Sequence, residues 1–185
     1  MSLRLSGGRK LQSPPGLTAR PTPARVRQAV MNMLAAELPG SRWLDLCSGS
    51  GVMACEALQR GAKRVVAVEH DRRHAAVAQA NLQAVAHGLG DRQVQVRQAD
   101  VRRWLQVGCK ASGEEPFDLI YADPPYASGL YRALADAVLQ GQWLAPGGQL
   151  LLECSSNGVP EIDGPWDLID QRRYGTTTVM RLEQR

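Results

Sequence analysis

A glycine-rich turn at positions 49–54 has the composition of a ligand-binding loop. It reads G-x-G-x-x-[GA], beginning with Gly49 and Gly51, and lies between a predicted strand and a predicted helix. Glycine lets the backbone approach a ligand closely, and a helix N-terminus offers free N–H groups. Glu69 follows 20 residues after Gly49, at the end of the next predicted strand, where a carboxylate can accept hydrogen bonds from ribose hydroxyls. This spacing predicts a nucleoside-containing cofactor; the alternative is a tight turn beside an incidental acid.

Asp45 lies inside the strand that leads into this turn and completes the pattern D-x-x-x-G-x-G. The pattern resembles the cofactor loop of class I S-adenosylmethionine-dependent methyltransferases. A carboxylate there can pair with the ammonium of that cofactor's amino-acid part, whereas it would repel the pyrophosphate of a nicotinamide dinucleotide. Asp100, directly after the third predicted strand, stands where that superfamily meets the adenine amino group. With the neighbouring residues Ser48 and Val101, these positions form the predicted cofactor site.

The turn Asp123-Pro124-Pro125-Tyr126 directly follows the fourth predicted strand. Proline fixes φ and lacks an N–H, so the turn should be rigid. An exocyclic amine on a nucleic-acid base attacks a methyl group poorly, because its lone pair is delocalised into the ring. The Asp123 carboxylate and the Pro124 carbonyl could accept its two N–H bonds and aim the lone pair, while Tyr126 stacks on the base. These three residues are the predicted catalytic group; a proline-rich loop after a buried strand is the alternative.

Strands and helices alternate along most of the chain, which predicts a mostly parallel sheet with helices on both faces. The last two strands are joined by a tight turn at Tyr174-Gly175, so they should form an antiparallel hairpin at one sheet edge. Thr22 and Pro23 are predicted as N-cap and first residue of the first helix, and Pro146-Gly147-Gly148 as a turn. The predicted strands are 43–47, 64–69, 93–98, 117–122, 149–154, 167–173 and 176–182.

The positive charge is concentrated at the N-terminus. The chain carries a net charge of +4, yet no acidic residue precedes Glu37. The basic residues of this stretch are Arg4, Arg9, Lys10, Arg20, Arg25 and Arg27. Such a segment attracts a polyanion, and nucleic acid is the usual one. We therefore predict a basic arm over residues 1–21 and one domain over 22–185. Arg9, Lys10, Arg20, Arg25 and Arg27 are the predicted RNA contacts, with Arg25 and Arg27 free on the polar side of the first helix.

Size and cysteine content agree with one cytoplasmic domain. The 185 residues suffice to bury a core without a disulfide or metal. The four cysteines form no C-x-x-C pair, which favours reduced thiols in the cytosol. No stretch reaches the ~18 uncharged apolar residues of a membrane span. His70 and His74 could share a helix face, but no further ligand completes a metal set, so we expect no metal site.

Four segments together resemble the bacterial 16S ribosomal RNA guanine-N2 methyltransferases of the RsmD type: ARPTPARVRQAVMNML, LDLCSGSG, VAVEHD and DPPY. The resemblance extends from about Arg4 to Leu182, and its most specific part contains Arg20, Arg25 and Arg27. It implies a Rossmann-like class I methyltransferase fold with a seven-stranded sheet. It also implies S-adenosylmethionine as cofactor and ribosomal RNA in the small subunit as partner.

By position, this resemblance has Asp123 and Tyr126 hold the guanine, and has Arg20, Arg25 and Arg27 grip RNA phosphate beside the active site. The chain departs from the family at Cys47 and Ser48, where an aromatic residue and an alanine are usual, and the N-terminal hairpin is shorter. We expect neither loop change to prevent cofactor binding.

Three other functions remain open from the sequence. A DNA adenine-N6 or cytosine-N4 methyltransferase can use the same turn, although 185 residues leave no room for a separate target-recognition domain. Asp45 and the DPPY turn argue against a nicotinamide-dependent oxidoreductase. The third alternative is a non-catalytic RNA-binding protein with a vestigial cofactor pocket. We expect a monomer that does not associate with membranes.

Overall fold

A seven-stranded sheet in the order β3-β2-β1-β4-β5-β7-β6 forms the centre of the protein. The computed structural model describes residues 3–14, 22–125 and 129–185. The strands are β1 Arg42–Leu46, β2 Arg64–Glu69, β3 Gln93–Gln98, β4 Phe117–Ala122, β5 Leu144–Ser155, β6 Trp166–Tyr174 and β7 Thr177–Gln184. The helices are α1 Ala24–Met33, α2 Val52–Gln59, α3 Arg72–Ala86, α4 Val101–Val107 and α5 Leu130–Gln140.

Strands β1 to β5 are parallel, as predicted, and the central strands β1, β2 and β4 are buried on both faces of the sheet, as is typical of parallel strands. On β1, Trp43 belongs to one core cluster and its neighbour Leu44 to the other. The first cluster packs under α1, α2 and α3, and the second under α4 and α5. The helices cover both faces of the sheet but not the carboxyl ends of its parallel strands. We call this end of the sheet the open edge, and ligands bind there in such folds.

The C-terminal strands form the predicted antiparallel hairpin. β7 pairs antiparallel with both β5 and β6, which places β6 at the edge of the sheet. Ser155 at the end of β5 pairs with Thr177 at the start of β7. The tip of the hairpin therefore lies at the same edge as the carboxyl ends of the parallel strands.

Two local predictions were wrong. The predicted turn Pro146-Gly147-Gly148 lies inside β5, where the pairing jumps from Phe117–Leu144 to Leu119–Gln149. The segment bulges out of the ladder, and a Cβ on Gly148 would lie 2.8 Å from the Phe117 carbonyl oxygen, so only glycine fits there. The other error concerns α1, whose N-cap is Pro23 and not Thr22. The Thr22 side chain has other partners, described below.

The described part of the N-terminal arm packs on the domain. A short antiparallel bridge joins Arg4 to Lys10, and Leu3, Leu5 and Leu11 are buried in the core cluster beneath α2 and α3. Gln12 exchanges two hydrogen bonds with the side chain of Asn81 on α3. Apolar side chains at 3, 5 and 11 thus fasten a segment that its glycines and prolines mark as irregular. In the described ranges, no helix is long and apolar enough to cross a membrane.

Candidate active site

Two buried carboxyl groups and a half-buried one meet at the open edge of the sheet. Asp45 lies on β1, Asp123 follows β4, and Glu153 lies on β5. β4 separates β1 from β5, so the three acids come from adjacent strands. Asp45 and Glu153 are each only 2% exposed. Carboxylates are rarely buried without a partner. Among the described residues, no three acids, histidines or cysteines are grouped closely enough to hold a metal ion.

Asp45 caps the helix that follows the glycine loop. Its Oδ2 accepts a hydrogen bond from the Ala54 N–H at 3.1 Å, and Gly51, the N-cap of α2, contributes no side-chain cap of its own. Burial raises the pKa of Asp45 to about 8, and the charges of Glu69 and Glu153 add to this effect. An acid at this helix terminus disfavours a pyrophosphate and favours a cationic group, as the sequence predicts for Asp45.

Thr22 joins the two other acids. Its hydroxyl oxygen lies 3.2 Å from Glu153 Oε2 and 3.5 Å from Asp123 Oδ2. A hydroxyl has one proton to donate, so Thr22 can serve one carboxylate at a time unless the other carboxyl is protonated. Tyr121 Oη also donates a short hydrogen bond to Glu153. Thr22, Tyr121, Asp123 and Glu153 therefore form one network of polar groups, largely shielded from solvent.

This network has a raised affinity for protons. Burial raises the pKa of Asp123, and the neighbouring Glu153 and Asp45 charges raise it further, while the Thr22 bond lowers it. Burial likewise raises the pKa of Glu153, and the bonds from Tyr121 and Thr22 oppose that shift. Among the described residues, no arginine or lysine contributes to either shift. The site thus has an excess of negative charge, which a bound cation would relieve.

The glycine loop combines tight packing with an open side. Gly51 has φ +73°, and a Cβ there would come within 3.1 Å of the Ala78 Cβ, so this glycine lets α2 approach α3. Gly49 has φ +56° and faces open space, since no atom lies within 4 Å of its Cβ position. The buried Ser48 hydroxyl has no hydrogen-bond partner in the described residues. Ser48 and Gly49 therefore offer an unused polar group and room beside it, which fits a bound cofactor.

Glu69 ends β2 beside this loop. Its Oε2 accepts a hydrogen bond from the Gly49 N–H at 2.7 Å, and its Oε1 accepts one from the Asp71 N–H at 2.8 Å. Each oxygen retains a lone pair for a further donor. These bonds fix the carboxylate at the mouth of the glycine loop, so its predicted role with ribose hydroxyls is compatible with its position.

Asp100 and Val101 begin the next helix at the same edge. Asp100 is the N-cap of α4, and its Oδ1 accepts a hydrogen bond from the Arg103 N–H at 3.1 Å. That bond lowers the pKa of Asp100, and so does the nearby Arg102. Val101 is buried against the second core cluster. The capped carboxylate is held in one orientation, as a hydrogen-bond acceptor for an amino group must be.

The backbone ties the Asp123-Pro124-Pro125 turn to the strand that enters the glycine loop. The Asp123 N–H lies 3.4 Å from the Leu46 carbonyl oxygen at the end of β1, and Pro124 is buried. Asp123 and Pro124 therefore stand next to the strand that carries Asp45. Two predicted site residues, Tyr126 and Arg20, lie outside the described residues.

Arg27 is a correction to the sequence analysis. It was predicted to remain free, but it is only 4% exposed. Its guanidinium pairs with Glu56 at 3.3 Å and donates to the carbonyl oxygens of Thr22 and Arg4. The prediction from helical periodicity assumed a single covered face, whereas α1 is covered by the N-terminal arm as well as by the sheet. Arg27 is thus part of the core, whereas Arg25 is exposed as predicted.

Arg9 and Lys10 lie away from the three acids. Arg9 donates a hydrogen bond to the Ala84 carbonyl oxygen near the end of α3. Ala84 is 12 residues beyond Arg72, the first residue of α3, or about 18 Å along the helix. Since α3 begins at the open edge and runs back across the sheet, both residues lie near the opposite edge. Their predicted RNA contacts stay a prediction, separate from the site that the structure brings together.

Three members of the site were missed in the sequence. Glu153 stands in the apolar run LLLEC, and a charged residue in a buried strand is a signal that could have identified it. Tyr121, two residues before Asp123, could have been identified by a similar signal, because it places a hydroxyl group in a buried strand. Thr22 was noticed, but as a helix cap, because side-chain oxygens before a helix usually cap it. Only the tertiary structure shows that its hydroxyl points toward the acids.

The chain matches a family model described as "Conserved hypothetical protein 95" over residues 5–183. It is 31% identical over 179 residues to ribosomal RNA small subunit methyltransferase D of Escherichia coli K12, covering 96% of this chain and 85% of that protein. It is 27% identical over 168 residues to the protein of the same name from Haemophilus influenzae, covering 91% of this chain and 84% of that protein.

The chain is also similar to a methyltransferase of solved structure. That of the Escherichia coli protein yhhF superposes with a TM-score of 0.81 at 28% identity, covering 100% of this chain and 98% of the other. The fold is therefore the Rossmann-like class I fold that was predicted.

Proposed function

Because this chain belongs to the conserved hypothetical protein 95 family, which includes the small subunit rRNA methyltransferases D, we propose that it methylates N2 of a guanine in 16S ribosomal RNA. The observation that carries the proposal is the placement of Asp123. It lies in a buried acidic network directly beside the strand that enters the glycine loop. A methyl-accepting amine bound at Asp123 would thus lie next to the methyl donor.

The proposed methyl donor is S-adenosylmethionine. Asp45 would hold its ammonium, Glu69 its ribose and Asp100 its adenine amino group, with Ser48, Gly49, Gly51 and Val101 lining the pocket. Their chemistry fits, because in residues 3–14, 22–125 and 129–185 Asp45 and its acidic neighbours have no cation partner and the Ser48 hydroxyl has no hydrogen-bond partner. When bound, the cofactor supplies an electrophilic methyl group on a sulfonium.

Asp123 and Pro124 would orient the target amine. The Asp123 carboxylate accepts one N–H and the Pro124 carbonyl accepts the other, so the nitrogen lone pair points at the methyl group. Methylation makes this nitrogen acidic, and Asp123 is the nearest group that can take the released proton. Thr22 and Glu153 keep the Asp123 carboxyl in place during both steps. Tyr126 would stack on the base, which must be unpaired or flipped out of a duplex.

RNA binding is proposed for Arg20 and Arg25, which flank Thr22 in the sequence. Phosphate contacts of this kind position the RNA and need no sequence preference. The proposed substrate is ribosomal RNA in the small subunit, so we also propose a cytoplasmic location and a monomeric enzyme. Each of these statements goes beyond the relatives' names and can be tested separately.

The decisive experiment measures transfer of labelled methyl from S-adenosylmethionine. Unmethylated small ribosomal subunits, free 16S RNA and duplex DNA are compared in parallel, followed by nucleoside analysis of the product. N2-methylguanosine in the ribosomal substrate is expected. Label in DNA as N6-methyladenine or N4-methylcytosine would replace the proposal with a DNA methyltransferase. RNA binding without label in any substrate would favour a non-catalytic RNA-binding protein.

A further inference from the structure

The tip of the β6–β7 hairpin lies close to the catalytic turn. Ala122, the last residue of β4, pairs with Leu152 of β5, and Ser155, three residues further along β5, pairs with Thr177. β7 is two strands away from β4 in the sheet, or about 10 Å. The Ser156 N–H donates to the Thr176 carbonyl oxygen at 2.9 Å, which fixes the tip against the end of β5.

Two guanidinium groups meet at this tip, on Gly175. Arg25, in the first turn of α1, places Nη2 3.5 Å from the position that a Cβ would take on Gly175. Arg173 donates from Nε to the Gly175 carbonyl oxygen at 3.0 Å. Gly175 has φ +68°, so the turn itself favours glycine, and the missing side chain leaves room for Arg25. Both arginines are exposed.

Within the described part of the chain, neither of these two arginines forms an ion pair, although they lie close to each other. Their neighbours do, since Arg172 pairs with Asp170 at 2.8 Å and Arg181 pairs with Glu37. Like charges brought together without a counter-ion repel each other, so the arrangement is unfavourable until an anion binds. Arginine presents N–H donors in a planar fork that matches a phosphate.

We propose that Arg25 and Arg173 form a clamp for a backbone phosphate of the RNA strand that delivers the target base to Asp123. The inference rests on the proposed function and deepens it, because it identifies a contact from the C-terminal hairpin, far in sequence from the basic arm. The clamp would set the distance between a bound phosphate and the catalytic turn, and thereby position the base.

The test measures the affinity of a fluorescein-labelled single-stranded RNA oligonucleotide at several salt concentrations. One neutralised phosphate contributes about 0.7 to the logarithmic salt slope for a single strand, which corresponds to about fivefold in affinity between 1 M and 0.1 M salt. Arg173→Ala and Arg25→Ala should each weaken binding at 0.1 M salt and flatten the slope by up to this amount. Arg173→Lys keeps the charge but not the fork, so its loss of affinity should be smaller.

The matched control is Lys63→Ala. Lys63 is exposed and precedes β2. The substitution therefore removes one positive charge, as Arg173→Ala does, but at the amino ends of the parallel strands. If Arg173→Ala gives the same affinity and slope as Lys63→Ala, the clamp is wrong. Methyl transfer by the unaltered enzyme to ribosomal substrates is measured alongside. Its absence would overturn the proposed function, whereas normal transfer with no effect at Arg173 would overturn only the clamp.

The fold of each variant is checked by thermal unfolding. The affinity for S-adenosylhomocysteine is a second check, because none of the proposed cofactor-binding residues lies at the hairpin tip. A double variant, Arg25→Ala with Arg173→Ala, sharpens the result. If both guanidiniums hold one phosphate, the double variant should flatten the slope by about 0.7 in total, and not by about 1.4. A loss of about 1.4 would mean two independent phosphates and would contradict the clamp.

Discussion

Two of the places where the protein buries acidic side chains differ in their charge balance. Glu56 on α2 is fully buried and pairs with Arg27, and its Oε1 also accepts two hydrogen bonds from Ser6. At the open edge of the sheet, Asp45, Asp123 and Glu153 accept hydrogen bonds but pair with no cation among the described residues. The charge of Glu56 is thus compensated by Arg27, although its Oε2 accepts no hydrogen bond there, whereas the charges of the three acids are not compensated in the described part of the chain.

The difference indicates a structural role for the Arg27–Glu56 pair and a ligand-binding role for the three acids. A buried ion pair holds two segments together and needs nothing from outside, as Arg27 and Glu56 do for the N-terminal arm, α1 and α2. A buried acidic group without a cation costs stability, because its members must take up protons or repel one another. Such a cost is typical of a site that a ligand completes, and the proposed ligand carries both a sulfonium and an ammonium.

The largest effect on stability is expected at the neutralised pair. Arg27→Met removes the cation and leaves Glu56 buried and unpaired, which typically costs about 3–5 kcal/mol. Urea unfolding measures this loss. The double variant Arg27→Met with Glu56→Met should recover a substantial part of it, because no lone charge remains. If the single variant is as stable as the double variant, the pair has no structural role.

The largest effect on catalysis is expected at Asp123. Asp123→Ala should lower kcat by about 10²–10³, the usual cost of losing one fixed hydrogen-bonding group at the reacting atom. Affinities for S-adenosylhomocysteine and RNA should change little, since the proposed cofactor and phosphate contacts involve other residues. Single-turnover methyl transfer provides the measurement, with the exposed Asp163→Ala as the control. Equal activity of the two variants would remove Asp123 from the mechanism.

The sequence could predict features that depend on neighbouring residues, but not contacts between distant ones. The alternation of strands and helices, the edge hairpin and the positions of Asp45, Glu69, Asp100 and Asp123 follow from local patterns, because glycine spacing and hydrophobic period report on neighbouring residues. The partners of Thr22 and Arg27 do not. Each side chain has an acidic partner at least 29 positions away, Glu153 for Thr22 and Glu56 for Arg27. Long-range polar contacts leave no periodic signal, so both residues were assigned by local rules that the tertiary structure overrides.

A smaller effect, with opposite signs for stability and binding, is expected at Asp45. Its pKa is raised from 3.8 to about 8 in the folded protein, so it favours folding fully below about pH 4 and loses this contribution as the pH rises through 8. Asp45→Asn cannot ionise and keeps an acceptor for the Ala54 N–H. The variant should therefore gain stability relative to the original protein between pH 4 and pH 8, with no further gain above.

The cofactor responds in the other direction. Asp45→Asn should weaken S-adenosylmethionine binding by about 10- to 100-fold, the value of roughly 1.5–3 kcal/mol for a hydrogen bond to a charged group. Affinity of the original protein should rise toward pH 8 as Asp45 ionises, while that of the variant should stay flat. Calorimetry at several pH values and thermal unfolding test the two effects together. Parallel pH profiles for both proteins would show that Asp45 does not bind the cofactor.

The smallest effect is expected at Thr22, where the basic segment meets the acidic network. Thr22→Val keeps the shape but removes the hydroxyl, a loss of about 1 kcal/mol that corresponds to about fivefold in kcat. Because the Thr22 bond lowers the pKa of both Asp123 and Glu153, its removal should raise those pKa values further. The acidic limb of the pH–rate profile should then shift to higher pH, and Thr22→Ser should restore it. A purely structural Thr22 would lower stability in Thr22→Val and leave the profile in place, so the direction of this limb determines whether Thr22 acts on the catalytic acid.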